Sequence, residues 1–431
     1  VNNEVEWESA GTLRGQLQRG LGRAARRAAD TPGAGEYVYD CVRSDPRRDP
    51  RCEARSLYYA RLMVDLELPT GPVAEHLFDP AGEPGLPSGA TPRDDARDAG
   101  ADEGRVRLAL DVLADLVRLS RREAAVPLRR YAEDGEHWFA AVETLVALGD
   151  PGLAAGLDAV VADRCDEAEL DMLLTGPPGP VIEAWAASRP RIAAALARRL
   201  DPERTRRPVP ASVRRPERTD DELLDLARGR DAGAVAAIFE LGRRRAPALL
   251  DLAEELLRQR PSRAGGAVCR ALGDYGPESL PRARAWAAEG GGCAGLGLRI
   301  VARHGTRQDI PLLMDELRGA VERRDWTGAA SPVEGLGRLR AGEAVDLLKT
   351  AWTETTYAFL RPRVLTALAR TAPHTAEAHT VEALWDCEEK ARQEAARLAP
   401  LTRDTRTRLR RLELDAAEDP AVRAIAAARL L

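Results

Sequence analysis

Residues 265–290 read GGAVCRALGDYGPESLPRARAWAAEG, and residues 295–320 read GLGLRIVARHGTRQDIPLLMDELRGA. Each phrase holds an apolar helical stretch, a short Gly-containing break and a second apolar helical stretch. The letters differ, but the rhythm returns after about 30 residues, a spacing typical of helical-repeat proteins. One hairpin of this size cannot bury its own apolar face. Stacked hairpins can share a continuous core, so the repetition points to a stack of helix pairs.

The rhythm extends both ways. Towards the C-terminus, EAVDLLKTAW (343–352) pairs with RPRVLTALART (361–371), and AEAHTVEALWD (376–386) with EEKARQEAARLA (388–399). The last pair is TRTRLRRLELDA (405–416) and DPAVRAIAAARL (419–430). Asp419 can cap that final helix, with Pro420 at the first helical position, where its missing N–H costs nothing. Upstream, GRVRLALDVLADLVRLS (104–120), REAAVPLRRYAED (122–134), HWFAAVETLVALGD (137–150) and LAAGLDAVVADR (153–164) keep apolar residues at helical spacing. Strand-like alternation is nearly missing from the sequence.

Composition agrees with helices. Hydrophobic residues make up 44% of the 431, yet aromatics only 4%, so Ala and Leu, both strong helix formers, carry the apolar content. All the basic residues except Lys349 and Lys390 are arginine. A GC-rich genome, as in an actinobacterium, produces that bias without any functional cause. The net charge of −5 argues against wholesale nucleic-acid binding. The six cysteines form no CxxC pair, the first ten residues are acidic rather than leader-like, and no apolar run is long enough to cross a bilayer. The expectation is a cytoplasmic protein with reduced thiols and no membrane association.

Five segments follow. Residues 1–78 read as an irregular helical cap over the first exposed repeat. Residues 79–104, rich in Pro, Gly and Asp, read as a disordered loop. Residues 104–200 and 221–431 read as helical repeats, and the Pro/Arg-rich 201–220 as an extended linker between them.

DPAVRAIAAARL resembles the second helix of a HEAT repeat, whose usual form is Asp-Pro-x-Val-Arg before an Ala/Leu helix. ALGDYGPESLPRARAWA resembles a junction between HEAT units. The likeness is one of pattern over roughly 104–170 and 220–431. It implies an all-α fold, a right-handed superhelical solenoid of HEAT-like hairpins, with second helices on the concave side. It also implies that Arg423, Arg392 and Arg107 belong to an internal Asp–Arg ladder.

Several constellations suggest chemistry. On one helix His379, Glu382 and Asp386 share a face, but His374 does not join them, and no second cluster completes a metal site. Cys41 and Cys387 each follow an aromatic and an Asp. An adjacent carboxylate raises a thiol pKa, so core burial is the default for these and the other cysteines. The Gly-rich run 290–297 lacks the Lys and Ser/Thr of a phosphate loop and reads as an inter-helix turn allowing close packing. No cofactor or metal is implied.

Two binding classes remain. The linker arginines Arg204, Arg206, Arg207, Arg214 and Arg215, with Arg121, Arg122, Arg129 and Arg130, can neutralise phosphates. HEAT-like alkylpurine DNA glycosylases use an Asp flanked by Trp, and here Asp325–Trp326 and Trp385–Asp386 are adjacent pairs. Nucleic-acid binding, with base excision as its enzymatic form, is therefore the alternative. A lyase-like helper acting on another protein, as in bilin-attaching HEAT proteins, is a third reading that no residue supports specifically. The favoured expectation is a non-catalytic scaffold or adaptor for an unknown partner protein, with Trp138, Phe139, Arg361 and Arg363 as candidate contacts on concave-side helices.

Overall fold

The computed structural model describes residues 6–50, 52–79, 95–200, 218–229, 232–258, 262–273 and 275–431. Among these residues every regular element is helical and no strand occurs. No helix among them is long and apolar enough to cross a membrane. Internal contacts divide the chain into two units, residues 1–208 with 380–431, and residues 209–379. The stretch 221–431, expected to form one array, is thus shared between the units.

The 209–379 unit is a succession of hairpins. Their helices are Asp220–Ala227 with Ala232–Arg244, Ala248–Leu257 with Arg263–Leu272, and Leu280–Glu289 with Ala294–His304. Ile310–Glu322 with Ala330–Leu339, and Val345–Glu354 with Arg361–Thr371, complete the series. The helices of the two opening phrases form, but their pairing differs from the reading: each phrase joins the second helix of one hairpin to the first helix of the next, so the packed pairs fall between the phrases, as Leu280–Glu289 on Ala294–His304 does. Second helices also pack on second helices: Ala232–Arg244 on Arg263–Leu272, Ala294–His304 on Ala330–Leu339, and Ala330–Leu339 on Arg361–Thr371.

Small residues set the distance of that packing. A Cβ added at Gly335 would lie 2.9 Å from Ala302 Cα, and one added at Gly337 would lie 2.6 Å from Ala367 Cα. At Gly242 the added atom would meet Ala271 Cβ at 2.7 Å. The helices touch through backbone, which explains why SPVEGLGRLR keeps the hairpin rhythm with unusual letters. Gly292 and Gly297, in the Gly-rich run, make equally close approaches to Leu257 O and Ala283 O.

Helix ends follow a shared design. Short 3₁₀ turns at Pro277–Ser279, Gly291–Cys293, Arg307–Asp309, Gly342–Ala344 and Ala358–Leu360 lead into the helices that follow them. At the other end, Arg245, Arg324 and Arg340 adopt left-handed backbone conformations. The amide after each donates to the carbonyl five residues back: Ala246 to Leu241, Asp325 to Ala320 and Ala341 to Leu336.

Arginines satisfy carbonyls that a helix end leaves open. Arg338 Nε donates to Ala302 O at 2.8 Å and its Nη2 to Gly305 O at 2.6 Å, both at the close of Ala294–His304. Arg303 does the same for Gly273, which closes Arg263–Leu272. In the other unit Arg429 reaches Ala396 O and Ala399 O, and Arg191 reaches Ala162 O and Cys165 O. A cation at a helix C-terminus also complements the helix dipole.

In the unit of residues 1–208 and 380–431, the helices Ala34–Ser44, Ser56–Asp65 and Gly71–Phe78 pack on Asp95–Arg118. That helix begins at Asp95, inside the 79–104 stretch read as a loop. Ala96, Ala99 and Ala101 suit a helix better than the Pro/Gly content before them.

The N-terminal segment also meets the C-terminal one. Cys387 N donates to Gly20 O at 3.0 Å, and a Cβ on Gly22 would lie 2.0 Å from Glu382 O. Arg23 pairs with Glu382 at 2.9 Å, and Arg61 with Asp415 at 2.6 Å and Glu418 at 3.0 Å. Arg392 adds a bidentate bond to Glu418 and donates to the carbonyls of Asp386 and Cys387. Of the expected Asp–Arg ladder, only Arg392 is interior, and its partner is a glutamate. Arg107 pairs with Glu143 and Asp111, and Arg423 is exposed and donates to Glu413 O.

The terminal helix is Pro420–Leu430, and Asp419 accepts from the amides of Ala421 and Val422, as its sequence predicts.

Candidate functional site

In the 209–379 unit a groove of about 300 Å³ opens between three neighbouring pieces of chain. Helix Ala294–His304 supplies Gly295, Leu298 and Arg299. Helix Ile310–Glu322 supplies Glu316 and Ala320, with Arg323 just past its end. The turn that follows supplies Asp325, Thr327 and Gly328, and the first turn of Ala330–Leu339 supplies Ser331.

Local rules put these side chains together. Glu316, Ala320 and Arg323 fall on one face at i, i+4 and i+7. Arg324 reverses the backbone after the helix, and Asp325 then organises the turn. Its Oδ1 accepts from Thr327 Oγ1 at 2.8 Å and from the Gly328 amide at 3.0 Å. Gly319 leaves room for the Arg323 side chain, since a Cβ there would lie 2.8 Å from Arg323 Nη1.

Among the described residues no hydrogen bond or ion pair engages the side chains of Arg299, Arg323 or Glu316. Burial raises the Cys269 thiol, with the Arg299 charge opposing it. The groove therefore presents two open guanidiniums, one open carboxylate and the hydroxyls of Thr327 and Ser331. These groups can bind charged or hydrogen-bonding side chains through several contacts at once.

The residues singled out in the sequence lie elsewhere. Trp138 and Phe139 are half-buried and meet edge to face at 5.8 Å, with the Arg164 guanidinium 5.6 Å from the Trp138 ring. Arg361 is 0% exposed, so it is an interior residue and cannot touch a partner. Arg363 is exposed but pairs with Glu334 at 2.6 Å and donates to Phe359 O. Arg204, Arg206, Arg207, Arg214 and Arg215 lie outside the described residues. Arg121 pairs with Glu123, Arg129 with Glu133, and Arg130 stacks 4.7 Å from the Phe78 ring.

Of the two Asp–Trp pairs, only Asp325 reaches the groove. Trp326 is buried, its Nε1 without a hydrogen-bond acceptor among the described residues. The guanidiniums of Arg26 and Arg408 lie 5.2 and 5.0 Å from the centre of the Trp385 ring, and Asp386 is 1% exposed. Among the described residues no three metal-ligating side chains converge. His379 packs edge to face on Trp352, and Glu382 takes Arg23.

Four cysteines are buried, Cys269 is partly so, and Cys52 is exposed, which corrects the expectation that all six are core residues. Cys52 follows Asp49 in a surface turn, its amide donating to Asp49 O. Burial pushes the Cys41 thiol up to about 12 and Cys165 up to about 11, away from thiolate chemistry.

Sequence reading missed Arg299, Glu316, Arg323 and Ser331. No local motif joins them, because the groove is assembled from three stretches that meet only through hairpin stacking. No family model matches the chain, and no curated protein or solved structure is detectably similar to it.

Proposed function

We propose that the chain is a HEAT-like helical-repeat scaffold acting in the cytoplasm, and that it recognises a partner protein at a surface that includes the Arg299–Ser331 groove. The single observation that carries this reading is the groove itself: Arg299, Arg323 and Glu316, charges of both signs, line it, and among the described residues their side chains make no hydrogen bond or ion pair. A folded protein gains nothing internally from such groups, while an incoming segment can complete their contacts. The packing of second helix on second helix supports the HEAT-like part of the reading. Glu316 and Asp325 beside the two arginines disfavour a continuous phosphate backbone. The burial of Trp326 removes the stacking surface that base excision at Asp325 requires.

The test is site-specific photo-crosslinking in the cells that make the protein. A photoreactive residue at Ser331 is expected to yield a discrete protein adduct, which disappears when Arg299→Glu and Arg323→Glu are combined. The same probe at Asp346, whose side chain is 97% exposed, serves as the control. Equal adducts at both positions, or none at Ser331, refute the scaffold reading.

A further inference from the structure

We infer that the groove selects a mixed-charge segment of its partner, an acidic side chain set against Arg299 and Arg323 with a neighbouring basic side chain at Glu316. This rests on the scaffold reading above and names the chemistry of the partner.

The volume and the charge pattern lead to it. About 300 Å³ is at the lower end of ligand sites, so the groove takes one or two side chains rather than a folded surface. Guanidiniums bind carboxylates through paired, charge-assisted hydrogen bonds, and two of them face this space unengaged. A lone anion does not account for Glu316. That carboxylate shares a helix face with Arg323 and yet pairs with neither arginine. An anion bound without a cation beside it leaves Glu316 repelling it. A segment carrying both signs satisfies all three groups, and Glu316 then discriminates against phosphate and purely acidic sequences.

Ser331 adds a hydroxyl in the first turn of helix Ala330–Leu339, where a donor favours a carboxylate, while the Thr327 hydroxyl is spent on Asp325. The Asp325 carboxylate is turned into its own turn by Thr327 and Gly328. It shapes the rim, and Glu316 is left as the acidic group available to a ligand.

The experiment uses the full chain and four fluorescein-labelled Gly/Ser peptides, carrying Glu-Lys pairs, Glu alone, Lys alone, or neither. Fluorescence polarisation is expected to rank Glu-Lys first, with affinity falling as salt rises. Arg299→Gln and Arg323→Gln should each weaken that peptide about tenfold. Glu316→Gln should abolish the preference for Glu-Lys over Glu alone. The double reversal Arg299→Glu, Arg323→Glu should turn the preference towards Lys alone. All these side chains line the groove, so each variant should keep its helix content, which circular dichroism checks.

The inference is overturned if the four peptides bind alike, if the ranking survives the double reversal, or if inorganic phosphate at equal concentration displaces Glu-Lys completely. In any of those cases a Ser331 adduct in cells leaves the scaffold reading standing. Loss of that adduct as well removes both.

Discussion

Replacing Gly337 with alanine and Gly266 with alanine makes the same chemical change in two helices, and the structure assigns them opposite signs. At Gly266 an added Cβ meets nothing within 4 Å. Only the helix-propensity gain remains, and stability should rise by about 0.5–1 kcal/mol. At Gly337 the added atom would sit 2.6 Å from both Cα and Cβ of Ala367, against an ordinary contact of about 3.4 Å or more. Ala367 is backbone-anchored and cannot rotate away, so Ala330–Leu339 and Arg361–Thr371 must part. Such overpacking costs about 1–3 kcal/mol. Set against the propensity gain of about 1 kcal/mol, the net is a loss of up to about 2 kcal/mol. Urea unfolding followed by tryptophan fluorescence reads the difference, since Trp286, Trp326 and Trp352 are buried in the same unit. If Gly337→Ala raises the unfolding urea concentration as Gly266→Ala is expected to, backbone-distance stacking of the second helices is wrong.

Two further predictions concern the helix ends and the buried ion pairs. Arg340→Gly relieves a left-handed backbone at a helix end and should raise stability by about 0.5–1 kcal/mol in the same urea assay, after the entropy cost of glycine. Burial works to raise the Glu418 carboxyl, but Arg392 and Arg61 hold it down to about 2, against an ordinary value of 4.5. A depressed acid stabilises the fold above its unfolded pKa and loses that contribution as pH falls from about 4.5 towards 2. Glu418→Gln should therefore destabilise the protein by about 3–5 kcal/mol at pH 7, because it leaves Arg392 and Arg61 without their shared charge. Its unfolding midpoint should change less than that of wild type between pH 4.5 and pH 3, as read by circular dichroism.

What the sequence reveals depends on how far apart the interacting residues are. The terminal helix was legible because its signal is local: Asp419 caps, Pro420 starts, and the Ala/Leu run follows. The helices at 265–320 were legible for the same reason, but their pairing was not, because which neighbour a helix packs on is decided by contacts outside each phrase. The start of the 95–118 helix was not, since the Pro/Gly composition upstream masked its Ala content. Arg361 looked like an ordinary charged helix start, yet the Ala358–Leu360 turn before it lies in the core and carries the arginine inward. The division of the chain was also hidden. Residues 380–431 join the first unit through contacts such as Arg61–Glu418, and no sequence window spans that separation. The groove is illegible for the same physical reason, because its charges meet only after the hairpins stack.

The meeting of residues 19–61 with 382–418 also has a consequence in time. A ribosome delivers Arg23 and Arg61 long before Glu382, Asp415 and Glu418 exist. Until then the early helices lack the carboxylates that neutralise them and the chain that covers Gly20 and Gly22. The first unit is therefore completed only late in synthesis, after all of residues 209–379 has emerged, and its half-built state must be kept from aggregating for that interval.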